Sequence, residues 1–184
     1  MDETSEFDSQ MKDIILAAKL LMSMDEIDFV KKYISRILLK NKVDESSKLL
    51  EKYPDSGDWE ISDLLDENEF TSMMRARLVN KILGLKNNQQ IQELVASCYE
   101  VLPELFAVPS GNFQFAKAYN DNVIVFRNKL AHVKQLNADH PVLIGMINGT
   151  EYRCDSHFCS MMRETLIRYG HWFNEIYSKL EKRR

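Results

Sequence analysis

The sequence predicts an all-α bundle with a small β-hairpin before the last helix. Three observations predict it. The chain has only 6 glycines and 4 prolines in 184 residues, and these are the strongest punctuators of regular structure. Apolar residues recur three and four apart over most of the length, the spacing of one helical face. The exception is a short stretch in which Asn148-Gly149 separates two apolar runs, and Asn-Gly in that setting is the strongest short-range hairpin signal.

The first helix is expected over 11–22, where Ile14, Ile15, Ala18, Leu21 and Met22 share a face. Ser23 and Glu26 make a capping box, in which each side chain accepts an N–H from the other residue's backbone. A second helix therefore starts at Met24 and turns Ile27, Val30, Tyr33, Ile34, Ile37 and Leu38 inward. A short helix over 44–53 stops before Pro54, and Asp55-Ser56-Gly57-Asp58 is a loop. Residues 60–84 read as one or two helices ending at Gly84, and 88–107 as another. After the break at Pro109, Ser110 and Gly111, a helix over 112–134 carries Ala116, Tyr119, Val123, Phe126, Leu130 and Val133 at alternating spacings of three and four, a packed seam. The hairpin follows in 141–153, with Val142, Leu143, Ile144 and Ile147 before the Asn-Gly pair and Glu151, Tyr152 and Arg153 after it. Ser156 is expected to cap a final helix over 157–182, with Phe158, Met162, Tyr169, Phe173, Ile176 and Leu180 inward. The organisation expected is an acidic helical N-terminal region, 1–55, and a helical domain, 56–184, or else one continuous domain over 1–184.

Hydrophobic residues make up 45% and charged residues 28%, close to a soluble globular average and unlike disordered, collagenous or disulfide-rich chains. The net charge of -4 argues against a basic nucleic-acid coat over the whole surface. The charge is uneven, however. Residues 1–70 hold 18 acidic and 9 basic side chains, a net of -9, whereas 71–184 hold 10 and 15, a net of +5. Such asymmetry suggests an acidic arm joined to a part that can meet an anion. No apolar run approaches the roughly 18 residues of a membrane span, so no membrane partner is expected. Asp2, Glu3 and Glu6 occupy the place of a signal peptide's basic start. Cys98, Cys154 and Cys159 are odd in number and form no framework. The expected compartment is the reducing cytoplasm.

The informative segment is Arg127-Asn128-Lys129-Leu130-Ala131-His132. Histidine titrates near neutrality and can accept a proton from a ribose 2′-hydroxyl. Arginine stays charged and offers a planar fork that matches a phosphate, so it can neutralise charge building on phosphorus. Asparagine can orient a neighbour or a phosphate oxygen. Together these suffice for RNA transesterification without a metal ion or any other cofactor. Asn128 and His132 lie four apart and share a helical face, while Arg127 is about 140° round the helix from His132. Either the arginine bends back or a second copy supplies the partner. A second, weaker stripe of Ala118, Ile124, Val125, Ala131 and His132 runs beside the seam. A helix apolar on two faces is buried on both, which points to a homodimer through this helix. Lys129 and Lys134 flank the motif as candidate phosphate contacts. The plainer alternative pairs Arg127 with Asp121 or Glu100 and leaves Asn128 on the surface.

An arginine, a polar residue and a histidine four to six positions on resemble the motif of the HEPN family. Arg127, Asn128 and His132 fit it, with Ala131 before the histidine as is common there. The resemblance extends to the motif's place near the end of a long helix, with another long helix after it, and it covers about 60–184. The hairpin between those helices is similar to that of HEPN domains linked to bacterial signalling receivers. The resemblance implies a HEPN-like helical bundle and a metal-independent endoribonuclease leaving a 2′,3′-cyclic phosphate, in toxin, phage-defence or stress-response biology. RNA is then the substrate, His132 the base, Arg127 the transition-state clamp and Asn128 the positioning group. It also implies a composite site across a dimer, and an inhibitor or activator protein as a partner. Val133, Lys134 and Gln135 stand where some HEPN toxins carry a modifiable tyrosine, so that form of control is not expected. Many HEPN-like domains bind without cleaving, and a non-catalytic helical interaction module in signalling or defence is the alternative function.

Other patterns are weaker. Cys154, His157 and Cys159 have zinc-ligand chemistry, but His171, the nearest further histidine, is about 21 Å along the same helix. Asp63, Asp66 and Glu67 group carboxylates, as a solvated face also does. The basic tail, Lys179, Lys182, Arg183 and Arg184, can meet phosphate or simply end a helix. No metal site is expected.

Overall fold

The computed structural model describes residues 3–40, 44–103, 113–130, 134–135, 143–147 and 150–183. It is an all-α bundle with a small β element before the last helix. Helix α1 (Glu3–Lys19) begins earlier than expected because Phe7 extends the stripe of Met11, Ile14, Ile15 and Ala18 by one turn. Phe7 is buried, its ring 5.2 Å from Phe173. The helix stops at Lys19, and Leu21 and Met22 cover the core from the following turn. There the capping box forms as read. Glu26 Oε2 accepts the Ser23 N–H at 2.8 Å and Ser23 Oγ accepts the Glu26 N–H at 3.3 Å. Helix α2 (Met24–Lys40) follows, then α3 (Asp44–Lys52).

The segment 60–84 splits into α4 (Ile61–Leu65) and α5 (Ser72–Leu83). Extended Thr71 caps α5, its hydroxyl accepting the Met74 N–H. Asn88 caps α6 (Gln89–Ala96) by accepting the Ile91 N–H at 3.1 Å. Its amide also donates to the Leu21 carbonyl at 2.8 Å and to Glu26 at 3.1 Å. One buried side chain thus ties the α1–α2 turn to the start of α6. Helix α6 is shorter than the expected 88–107; turns follow it from Ser97, and 104–107 lie outside the described residues.

The long helix expected over 112–134 is α7 (Phe115–Tyr119), a π-helical turn (Asn120–Ile124) and α8 (Val125–Leu130). It does not reach 134. Lys134 and Gln135 form β1 and pair antiparallel with Ile144 and Leu143 of β2 (Leu143–Ile147). Strand β2 pairs antiparallel with β3 (Thr150–Arg153), Ile147 opposite Thr150, as a hairpin requires. Asn148 and Gly149 lie outside the described residues. Helix α9 (Ser156–Glu181) is capped by Asp155 and not by Ser156, because Asp155 Oδ1 accepts the Phe158 N–H at 2.9 Å.

Helix α1 packs between α9 and α5. The buried core is one cluster running from Phe7 to Leu180, and aromatic rings form its centre. Phe115 stacks on Trp172 at 5.0 Å and on Tyr119 at 5.5 Å, and Tyr169 and Phe173 pack edge-on or tilted around them. Each such ring, fully withdrawn from water, stabilises the fold by about 1.5–3 kcal/mol. Among the described residues no helix is long and apolar enough to cross a membrane.

Candidate functional site

The π-helical turn positions the motif. Phe115, Tyr119 and Val123 are spaced four apart and all are buried. An α-helix turns every 3.6 residues, so a four-residue stripe drifts away from the core. One wider turn at Asn120–Ile124 absorbs the drift and buries Val123 and Ile124 together. Single π turns inside α-helices recur at functional sites. The expected seam through Ala116 and Phe126 is therefore displaced, since Phe115 is fully buried while Ala116 and Phe126 are only half-buried.

Helix α8 presents Arg127 and Asn128 to solvent. Neither acid proposed as the arginine's plain partner takes it. Asp121 bonds Lys117 at 2.7 Å and the Asn120 amide at 3.2 Å, and the lysine holds its carboxyl below the usual carboxylate range. Among the described residues Arg127 has no ion pair with Glu100 or any other carboxylate. His132 lies outside the described residues, as do Ala131 and Val133. Lys129 belongs to α8 and Lys134 to β1, and the side chains of both, with that of Leu130, lie outside the described residues.

Within electrostatic reach of Arg127 is a polar junction that the sequence did not reveal. The fully buried Tyr119 hydroxyl shares a 3.3 Å hydrogen bond with Ser72 Oγ at the start of α5. Burial pushes the phenol up to about 12; the Ser72 bond and the Arg127 charge pull it down, and Asp8 raises it. Asp8 Oδ2 lies 3.9 Å from Arg75 Nη1, and Asp8 Oδ1 is buried without a hydrogen bond. Arg75 is itself fixed by the Leu65 carbonyl at 2.8 Å. A phenol with so high a pKa is neutral at physiological pH, and the Arg127 charge acts on it from outside the core. On the other flank, Asn122 donates to the Tyr169 hydroxyl at 3.2 Å.

The second stripe is corrected in the same region. Ile124 is 6% exposed and belongs to the core, and Ala118 packs against that core. Of the described members only half-buried Val125 is left for another surface.

The weaker candidates are absorbed by the fold. Lys12 takes Asp66, while Lys52 and the Tyr53 hydroxyl take Glu67. Among the described residues no group of three or more His, Cys, Asp or Glu is placed to hold a metal ion, Cys154, His157 and Cys159 included. In the basic tail, Lys179 donates to the Ser97 carbonyl at 2.9 Å and Arg183 to the Gln90 carbonyl at 3.0 Å, so both pin the end of α9 to the α6 region.

No family model matches the chain, and no curated protein or solved structure matches it either.

Proposed function

We propose that this protein is a metal-independent endoribonuclease of the HEPN type, acting in toxin, phage-defence or stress biology. In this reading the His132 imidazole accepts the proton of a ribose 2′-hydroxyl. The 2′-oxygen attacks the adjacent phosphorus, the bond to the 5′-oxygen breaks, and a protonated imidazole of a second copy returns a proton to that oxygen. The products are a 2′,3′-cyclic phosphate and a 5′-hydroxyl. Arg127 neutralises the charge on phosphorus, Asn128 orients a phosphate oxygen, and Lys129 and Lys134 hold the flanking backbone. The composite site makes the active form a homodimer in the cytoplasm, open to control by an inhibitor or activator protein.

The observation that carries the reading is the state of Arg127, a solvent-facing guanidinium with no carboxylate partner among the described residues, next to exposed Asn128. The π turn immediately before α8 adds support.

The test is RNA cleavage in EDTA by the full chain, by His132→Ala and by Arg127→Ala. Loss of the base is expected to slow cleavage by about 10²–10⁴-fold, and loss of the clamp by about 10²–10³-fold. Folded protein that cleaves no RNA, or variants as fast as the parent, would replace this reading with that of a non-catalytic interaction module. A protein that sediments as a monomer at micromolar concentration would remove the composite site.

A further inference from the structure

A second cationic site lies between α2 and α5. Tyr33, Arg36, Ile37 and Lys40 form one wall of a cleft of about 410 Å³, and Arg77 and Lys81 form the other. Arg36 and Lys40 are one turn apart on α2, as are Arg77 and Lys81 on α5, so two pairs of cations face each other. Among the described residues no carboxylate lines this cleft. Among the described residues Arg36, Lys40 and Arg77 have no ion-pair partner. Arg77 lies close enough to the Tyr33 phenol to lower its pKa against the effect of burial, so its charge reaches the cleft floor. Four converging cations in a chain of net charge -4 repel one another when nothing is bound.

Lys81 also lines a second cleft of about 470 Å³, with Asp25, Glu26, Phe29, Leu85, Lys86 and Asn87 among its other lining residues. The Lys81 ammonium bridges the two, 4.4 Å from the Phe29 ring and 5.1 Å from the Tyr33 ring. The groove is therefore bipolar. At one end every described charged side chain is a cation. The other offers the half-exposed Phe29 ring, a carboxamide, and the Asp25 and Glu26 carboxylates with one further cation, Lys86. A continuous polyanion laid along it would run from the cations onto Asp25 and Glu26. A small ligand with phosphates at one end and an uncharged aromatic, proton-donating group at the other matches both ends.

We propose that this groove binds a nucleotide, its phosphates among Arg36, Lys40, Arg77 and Lys81 and its base toward Phe29 and Asn87. The site is separate from Arg127 and stands whether or not the protein cleaves RNA.

The experiment is calorimetric titration of the full chain at fixed ionic strength with adenosine triphosphate and guanosine triphosphate, with inorganic triphosphate and a single-stranded RNA decamer for comparison. At least one nucleotide is expected to bind more tightly than inorganic triphosphate and than the decamer. The pair Arg36→Gln/Arg77→Gln is expected to weaken it at least tenfold, with an unliganded Tm equal to or above the parent's because repulsion is relieved. Phe29→Ala is expected to weaken the nucleotide but not inorganic triphosphate. The proposal is overturned by no nucleotide binding at millimolar concentration, by unchanged affinity in the folded double variant, by inorganic triphosphate binding as tightly as either nucleotide, or by tighter binding of the decamer.

Discussion

Replacing Tyr119 by Phe tests the polar junction within reach of Arg127, because the effect must change with pH. At pH 8 the variant loses the hydrogen bond to Ser72 and leaves that hydroxyl poorly satisfied, a loss of about 1–2 kcal/mol. The parent carries a phenol raised from 10.0 to about 12. A group raised on folding contributes stability that is complete below its unfolded pKa and is lost as pH climbs through the folded one. For values of about 10 and 12, linkage removes about 1.4 kcal/mol of that stability by pH 11. The variant has no such group and does not lose it. Urea denaturation of both proteins at pH 8 and pH 11 should therefore show a gap that shrinks by about 1.4 kcal/mol or closes. The other titrating residues are common to both proteins and cancel. Arg127→Gln should raise the Tyr119 transition further and Asp8→Asn should lower it, read by phenolate absorbance. A stability gap equal at both pH values would refute the placement of this hydroxyl in a dry, charge-flanked junction.

Two further perturbations probe the frame. Ser23→Ala removes one half of the capping box and should lower stability by about 0.5–2 kcal/mol with no change in the urea m-value. Phe115→Ala empties the centre of the aromatic cluster and should cost about 3–5 kcal/mol by thermal or urea unfolding, with Phe115→Leu costing less.

The helical frame was legible because its signals are local. Ser23 and Glu26 are three residues apart, and their reciprocal bonds need nothing from elsewhere in the chain. The hairpin was legible for the same reason, since short apolar runs and a turn pair sit in one stretch. What escaped depends on distant partners. Lys134 reads as the end of a helix until β2 is beside it. Asp155 and Ser156 are both good caps, and only the backbone geometry selects the first. The π turn hid behind the choice between Phe115 and Ala116, either of which begins an apolar stripe. The four-residue steps from Phe115 were the available signal. The Tyr119 junction joins α1, α5 and α7, and the cationic groove joins α2 and α5. The Arg36–Lys40 and Arg77–Lys81 spacings are visible in sequence, but nothing in sequence says that the two pairs face each other.

The packing of α8 decides what the motif can meet. Phe126 rests against Phe158 of α9, the ring centroids 5.9 Å apart, and so fixes the helix rotation. At 100° per residue, Arg127 then lies to one side, and Asn128 lies about 200° from Phe126, nearly opposite α9. The exposure of both residues follows from that anchor. Because the π turn has already folded Ile124 into the core, only half-buried Val125 is left of the second apolar stripe among the described residues of α8. Among the described residues, a second copy docking here would meet a guanidinium, a carboxamide and one half-buried valine. Such a surface gains little from apolar burial and much from an anion shared between two arginines. If the dimer forms through α8, its assembly should therefore tighten when RNA is added and weaken with salt.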